Sequence, residues 1–246
     1  MLWEGSGNVP LLSFQGSRVK PELRRFGFSQ SPVVVIDDFS GDPEAIGRIA
    51  DALAPFPEVD TGYYPGVRRL ISRADTAADA YVERTCEDVA QFVAGAFEVD
   101  SFDLIEASFS IVSAKPEDLA LRQRAPHYDS TDQKYFAILH YLRVPEGTGT
   151  AFYRQRTTGI ERITDLNVST FAPVAQVEAG RLTPDSGYIS GSDESYEQIG
   201  AIEAVPDRLL IYQGSLLHSG IIPKNMILNP DPSKGRLTAN IFVRGH

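Results

Sequence analysis

Apolar positions along this chain change their period partway, and the change divides it. Val33 to Ile36 is a short β-branched run closed by Asp37 and Asp38, which predicts a buried strand. Asp42-Pro43-Glu44 then offers an acidic cap and a first-turn proline. Ile46, Ile49 and Leu53 follow on one face, so a helix is predicted to about Leu53. Tyr81, Cys86, Val89, Phe92 and Val93 recur near helical spacing and predict a second helix over roughly Thr76 to Phe97. After Asp103 the period drops to two. Ile105, Ala107, Phe109 and Ile111 alternate with Glu106, Ser108 and Ser110, which predicts a half-buried strand. Tyr135 to Arg143 is apolar on both parities and predicts a central strand. Shorter strands are expected over Gly149 to Tyr153, Arg208 to Gln213, and Leu216 to Ser219 beyond Gly214. The last alternation sets Leu237, Ala239, Ile241 and Val243 against Arg236, Thr238, Asn240 and Phe242.

The stretch from Arg154 to Ser195 breaks both patterns, being polar and rich in Gly, Ser, Thr and Asp. It is too long for an empty connection, so it reads as a functional insertion or lid with some helix. The elements together predict a single domain over residues 1–246, mainly β with buttressing helices. Its parts would be an α/β buttress over 1–102 and an antiparallel jelly-roll core over 103–246, with an insertion at about 154–200.

Composition narrows the function classes. Hydrophobic residues make up 42% of the chain, enough for a sizeable core. No apolar run approaches the roughly 18 residues of a membrane span, so no membrane partner is expected. Met1 to Gly5 puts no basic region ahead of an apolar one, so no secretory leader is expected. The single cysteine, Cys86, excludes an internal disulfide and points to a reducing cytoplasm. It lies on the apolar parity of its helix and reads as core. The net charge of −10, from 23 basic and 33 acidic side chains, argues against a nucleic-acid partner. A small-molecule partner fits, and nothing here speaks to oligomeric state.

The candidate chemistry lies in four residues. His127 and Asp129 stand in Pro126-His127-Tyr128-Asp129, and residues i and i+2 of a strand share a face. His218 follows ninety-one positions later, within Tyr212-Gln213-Gly214-Ser215-Leu216-Leu217-His218-Ser219-Gly220. Two imidazoles and a carboxylate can hold one face of an octahedral iron(II) and leave the other face open. Zinc accepts the same donors, so the triad alone does not choose the metal. A lone His-x-Asp is a common surface pairing, and a histidine like His218 between apolar residues can be a satisfied core group. Arg236 leads a polar face with Thr238 and Asn240. A guanidinium inside a small barrel is costly unless paired, and a bound dicarboxylate would pair it. The plainer alternative is a solvated polar face.

Three further features invite a role. Thr61-Gly62-Tyr63-Tyr64-Pro65-Gly66-Val67-Arg68-Arg69 brings aromatics, a Pro-Gly turn and two arginines together. It reads as a substrate rim built on Tyr64 and Arg68, or as an ordinary turn with solvated arginines. Asp185 to Glu197 reads as a segment that closes over the site or is merely flexible. His140 is turned away from Tyr141 by strand alternation and reads as core.

The order of these residues resembles the iron(II)- and 2-oxoglutarate-dependent dioxygenases, in particular the prolyl-4-hydroxylase-like branch, over about Asp103 to Val243. Pro126-His127-Tyr128-Asp129 resembles the family's metal strand, and Ala137-Ile138-Leu139-His140-Tyr141-Leu142 its next strand. Gly149-Thr150-Ala151-Phe152 resembles the Gly-Gly-x-Thr-x-Phe segment, with Thr148 at the first glycine. Arg208 to Tyr212 and on to His218 resembles the strand with the distal ligand, and Arg236-Leu237-Thr238 the Arg-x-Ser/Thr anchor. Tyr64-Pro65-Gly66-Val67-Arg68 and Tyr212 to Ser219 also resemble an uncharacterised bacterial group within the superfamily. The resemblance implies a double-stranded β-helix, iron(II) on His127, Asp129 and His218, and 2-oxoglutarate as co-substrate. It implies that Arg236, Thr238 and Tyr141 bind the far carboxylate, and that an unidentified small molecule or amino-acid-like substrate is hydroxylated. Superfamily halogenases generally lack the carboxylate at Asp129, so its presence favours hydroxylation. Two other readings stay open on the residues alone. One is a cupin-like metalloprotein, an isomerase or hydrolase, with no use for Arg236. The other is a binding protein that kept the fold and lost turnover.

Overall fold

The computed structural model describes residues 20–58 and 64–246. Met1 to Gly5 and the Thr61-Gly62-Tyr63 part of the aromatic stretch lie outside the described residues. Strands β1 (Pro21–Phe26) and β2 (Ser31–Ile36) lead into helix α1 (Pro43–Asp51). Strand β3 (Gly66–Leu70), helix α2 (Thr76–Phe97) and strand β4 (Phe102–Val112) follow. Next come β5 (Tyr135–Arg143), β6 (Gly149–Gln155), helix α3 (Val168–Ala179), β7 (Tyr196–Glu203), β8 (Leu209–Gln213), β9 (His218–Ile221) and β10 (Arg236–Gly245). Seven strands form one antiparallel sheet in the order β1-β2-β8-β5-β10-β4-β3, and three form a second in the order β7-β6-β9. The described elements are mainly β, in the arrangement of a double-stranded β-helix.

The strongest sequence signals give the clearest elements. Asp42 accepts a hydrogen bond from the Ala45 N–H at 2.9 Å, and Pro43 opens α1 where its missing N–H costs nothing. Strand β5 lies mid-sheet between β8 and β10, and both of its faces are buried. That is what an apolar run on both parities requires. The buried stripe of α2, with Tyr81, Val82, Val89 and Val93, packs with α1 on the outer face of the large sheet. It meets Phe109, Ile111, Ile138, Leu237, Ala239 and Ile241 there. His140 lies within this layer, fully buried. Its ring nitrogens lie 2.9 Å from the Tyr81 hydroxyl and 2.9 Å from Asp207 Oδ1. Asp207 also accepts from the Ser40 and Gly41 backbone N–H groups, so the network is satisfied and ties the helices to the sheet.

Two expectations are revised. The polar parity of β4 does not face solvent: Ser108 and Ser110 are fully buried, because that face looks inward at the second sheet. The insertion supplies a cover more than a lid. Phe171 of α3 packs with Ala151, Tyr153, Ile163, Ile189, Tyr196 and Leu217 on the outer face of the small sheet. Strand β6 is buried on both parities and puts Ala151 and Tyr153 on that outer face, which needs a cover, and the polar composition around α3 hid the fact. Fully burying a side chain such as Phe171 contributes about 1.5–3 kcal/mol.

Candidate metal centre

The three ligand candidates reach one point through a backbone device. His127 does not lie on a long strand as the i, i+2 argument assumed. It forms an isolated antiparallel bridge with His218. Each donates its N–H to the other's carbonyl at 2.9 Å. Such a closed pair fixes the two residues opposite each other, and their ring centroids stand 4.3 Å apart. Two residues on, the Asp129 N–H donates to the Gly214 carbonyl at 2.7 Å. Gly214 is required here on steric grounds. A Cβ on it would come within 2.8 Å of the Tyr135 ring and 3.1 Å of the Asp129 Cβ. The result is that one ligand atom from each of His127, Asp129 and His218 lies within 4.8 Å of the others.

One of the imidazoles is held in a defined tautomer. His218 Nδ1 lies 2.7 Å from the Leu216 carbonyl, which can only accept, so Nδ1 carries the proton and Nε2 keeps its lone pair. That Nε2 faces Asp129 Oδ2 at 3.7 Å, and His127 Nε2 faces Asp129 Oδ1 at 3.9 Å. The Tyr212 ring meets the His218 ring edge-on at 4.9 Å. The His218 side chain is 6% exposed and that of Asp129 16%, whereas His127 is 48% exposed and forms the open edge.

Burial pushes the Asp129 carboxyl up to about 6, against the pull of His127 and Arg68. Burial pushes His218 down to about 4, against its hydrogen bond to Leu216. His127 goes the same way, to about 4, through burial and its neighbour His218, against the pull of Asp129. At neutral pH the site is therefore two neutral imidazoles and one carboxylate. A metal ion needs that form, so no proton opposes binding above about pH 6. As pH falls through about 6, Asp129 takes up a proton that the metal must displace, and affinity falls about tenfold per pH unit. The histidines add to the loss only near pH 4. Calorimetric titration with nickel(II) at pH 5, 6 and 7.5 reads this directly, and a flat profile between 5 and 6 contradicts it.

Beyond the triad, the large sheet carries a cluster of buried polar groups, among them Ser108, Ser110, Tyr141, Arg236 and Thr238. Thr238 is paired in register with Ser110 on one side and Tyr141 on the other. Arg236, 5% exposed, has a buried Nε with no hydrogen-bond partner, and its Nη2 donates to the Gly149 carbonyl only at 3.5 Å. Its guanidinium carbon stands 5.6 Å from the centre of the Tyr141 ring. The Tyr141 hydroxyl is engaged 2.7 Å from Thr150 Oγ1. Thr238 Oγ1 has the Ser110 carbonyl as acceptor only at 3.5 Å. A buried cation without an anion is an incomplete arrangement.

The aromatic-arginine stretch is not an irregular turn throughout. Gly66–Leu70 is the edge strand β3. Arg68 faces inward and donates to Glu106 Oε1 at 2.6 Å and Ser108 Oγ at 2.9 Å, while Arg69 is paired with Asp75 at 2.7 Å. The Tyr64 hydroxyl is buried instead of lining an open rim. In the Asp185 to Glu197 segment, the Tyr188 hydroxyl donates to the Ala114 carbonyl at 2.7 Å, and Ile189 and Tyr196 are buried. Sequence reasoning missed Gly214 and Ser110. Gly214 could have been suspected from its place in the turn before His218. The polar parity of β4 gave the signal for Ser110, read as the solvent side.

A family of unknown function, DUF6445, matches the chain over residues 17–243. No curated protein sequence matches it. Among solved structures it is similar to SnoN, the non-heme alpha-ketoglutarate-dependent epimerase from nogalamycin biosynthesis. There the identity is 12%, the coverage 89% of this chain and 79% of the other, and the TM-score 0.54. It is also similar to iron-bound HygX from Streptomyces hygroscopicus, with 14% identity, coverage of 89% and 84%, and a TM-score of 0.50. At these identities the likeness is one of fold.

Proposed function

The chain belongs to DUF6445, a family of unknown function, and we propose that it is an iron(II)- and 2-oxoglutarate-dependent oxygenase that hydroxylates a small-molecule or amino-acid-like substrate. The observation that carries this reading is the buried Arg236 with its unpartnered Nε, inside the same sheet pair that brings His127, Asp129 and His218 together. A cupin-like hydrolase would need the triad and have no use for the cation. The donor set fits iron(II), with two neutral imidazoles and a carboxylate on one face. Bound iron would supply dioxygen activation coupled to decarboxylation of the keto acid to succinate.

The chain's own residues do the positioning. His127, Asp129 and His218 would hold the metal, with the Leu216 carbonyl fixing the His218 tautomer. Arg236 and Thr238 would bind the far carboxylate, with the Tyr141 ring packed beside the guanidinium. Arg68, on the inner face of the edge strand β3, is the substrate-side candidate, its charge shared with Glu106. The half-open His127 marks the side from which a substrate would approach. A single cysteine fits a reducing cytoplasm, and a net charge of −10 fits no nucleic-acid role. No helix among the described residues is long and apolar enough to cross a membrane.

The test is an anaerobic titration of iron(II)-loaded protein with 2-oxoglutarate. A metal-to-ligand charge-transfer absorption that saturates at one equivalent is expected. Slow conversion of 2-oxoglutarate to succinate should follow on admission of air. Iron-loaded protein that shows no absorption change at millimolar keto acid would sink the reading.

A further inference from the structure

Tyr64 precedes β3 and is held there by its backbone. Its carbonyl accepts from the Gly66 N–H at 3.0 Å and from Gln123 Nε2 at 3.1 Å. Its ring lies 5.9 Å from the Arg68 guanidinium carbon. The hydroxyl at the far end of that ring is buried and has no hydrogen-bond partner. The groups beside it are the hydroxyls of Ser110 and Thr238 and the guanidinium of Arg236, and neither hydroxyl makes a properly formed bond to it. Burial pushes the phenol above its ordinary range, so it is protonated and a donor at neutral pH. Several donors of this cluster are therefore left without a well-formed bond. Tyr64 Oη and Arg236 Nε have no partner, and Arg236 Nη2 and Thr238 Oγ1 reach backbone carbonyls only at 3.5 Å. Burying several unmet donors together is unfavourable, and a bound anion with two oxygens relieves it.

We propose that Tyr64 donates its hydroxyl to the same far carboxylate that Arg236 and Thr238 bind, forming a cradle that selects 2-oxo acids ending in a second carboxylate. The inference rests on the oxygenase reading above and adds a residue from outside the core strands. The tyrosine expected by resemblance, Tyr141, is already engaged with Thr150. Tyr64 comes from the segment leading into the edge strand β3, two strands from β10, and its hydroxyl lies beside Ser110 and Thr238.

The test compares two keto acids on the full chain loaded with nickel(II), read by calorimetry. One is 2-oxoglutarate; the other is 2-oxovalerate, which has the same carbon chain without the far carboxylate. Wild-type protein should prefer 2-oxoglutarate strongly. Tyr64→Phe keeps the ring and removes only the unpartnered hydroxyl, so the unliganded melting temperature should not fall. Its affinity for 2-oxoglutarate should drop about ten- to a hundredfold, the value of one hydrogen bond to a charged group. Its affinities for 2-oxovalerate and for nickel should stay within about twofold of wild type, since neither contact involves the hydroxyl. Unchanged 2-oxoglutarate affinity overturns the proposal, as does an equal loss for both keto acids, which would mark a packing role. Wild-type protein that binds neither keto acid overturns the oxygenase reading itself, and this assignment with it.

Discussion

Arg236→Met is expected to remove 2-oxoglutarate binding while leaving the metal centre intact. Arg236 is 5% exposed and buries a charge that no carboxylate in the described structure neutralises. Truncating one partner of a buried, hydrogen-bonded charge pair costs about 2–5 kcal/mol, so a loss of at least about thirtyfold in Kd is expected, and more if the remaining carboxylate stays desolvated. The effect on stability should have the opposite sign. Methionine fills a similar volume without an unmet donor, so the unliganded protein should melt no lower than wild type. The upward shift in melting temperature that saturating 2-oxoglutarate gives to metal-loaded wild type should vanish in the variant. Nickel affinity should be unchanged. A variant that binds 2-oxoglutarate as wild type does would show that the cation serves something else.

His218→Ala should cost the metal outright. Its side chain is the most buried of the three, and its tautomer is set by the Leu216 carbonyl. Losing a mere supporting partner of a ligand costs about 10–100-fold in metal affinity, so losing the ligand itself should exceed about a hundredfold. Turnover of 2-oxoglutarate should fall below detection. His140 gives the contrast, since it is an equally buried histidine in the same fold. Replacing it by leucine strands Asp207 without its ring partner and should lower stability by about 3 kcal/mol with nickel affinity unchanged. If both variants lose metal equally, general unfolding and not ligation explains the result. Equilibrium dialysis with nickel, run beside thermal melts, separates the two.

The helices α1 and α2, strand β5 and the alternation of β10 were legible because each depends on a local period or cap. Asp42-Pro43 starts a helix wherever it sits, and a run apolar on both parities can only be interior. The ligand types His127, Asp129 and His218 and the cation Arg236 were legible for the same reason: their chemistry is rare enough to stand out against the chain. Their convergence was implied by the family resemblance and holds in the structure, but the contacts that produce it were not legible. It depends on a single backbone bridge between residues ninety-one positions apart and on a glycine that lets Asp129 approach. No local pattern encodes either contact.

The sequence by itself determined which faces are apolar, where the helices start, and which side chains can bind a metal or an acid. Only the tertiary structure decided which way the polar faces look. Ser108 and Ser110 have the alternation of a solvated face and are fully buried, because a second sheet stands opposite them. The polar insertion covers an apolar sheet face through Phe171, and Tyr64, which reads as a surface turn, buries its hydroxyl beside Thr238 and Arg236. The reason is physical. A residue's period records that it has two environments, but the identity of each environment is set by what packs there. In this fold those partners come from distant parts of the chain.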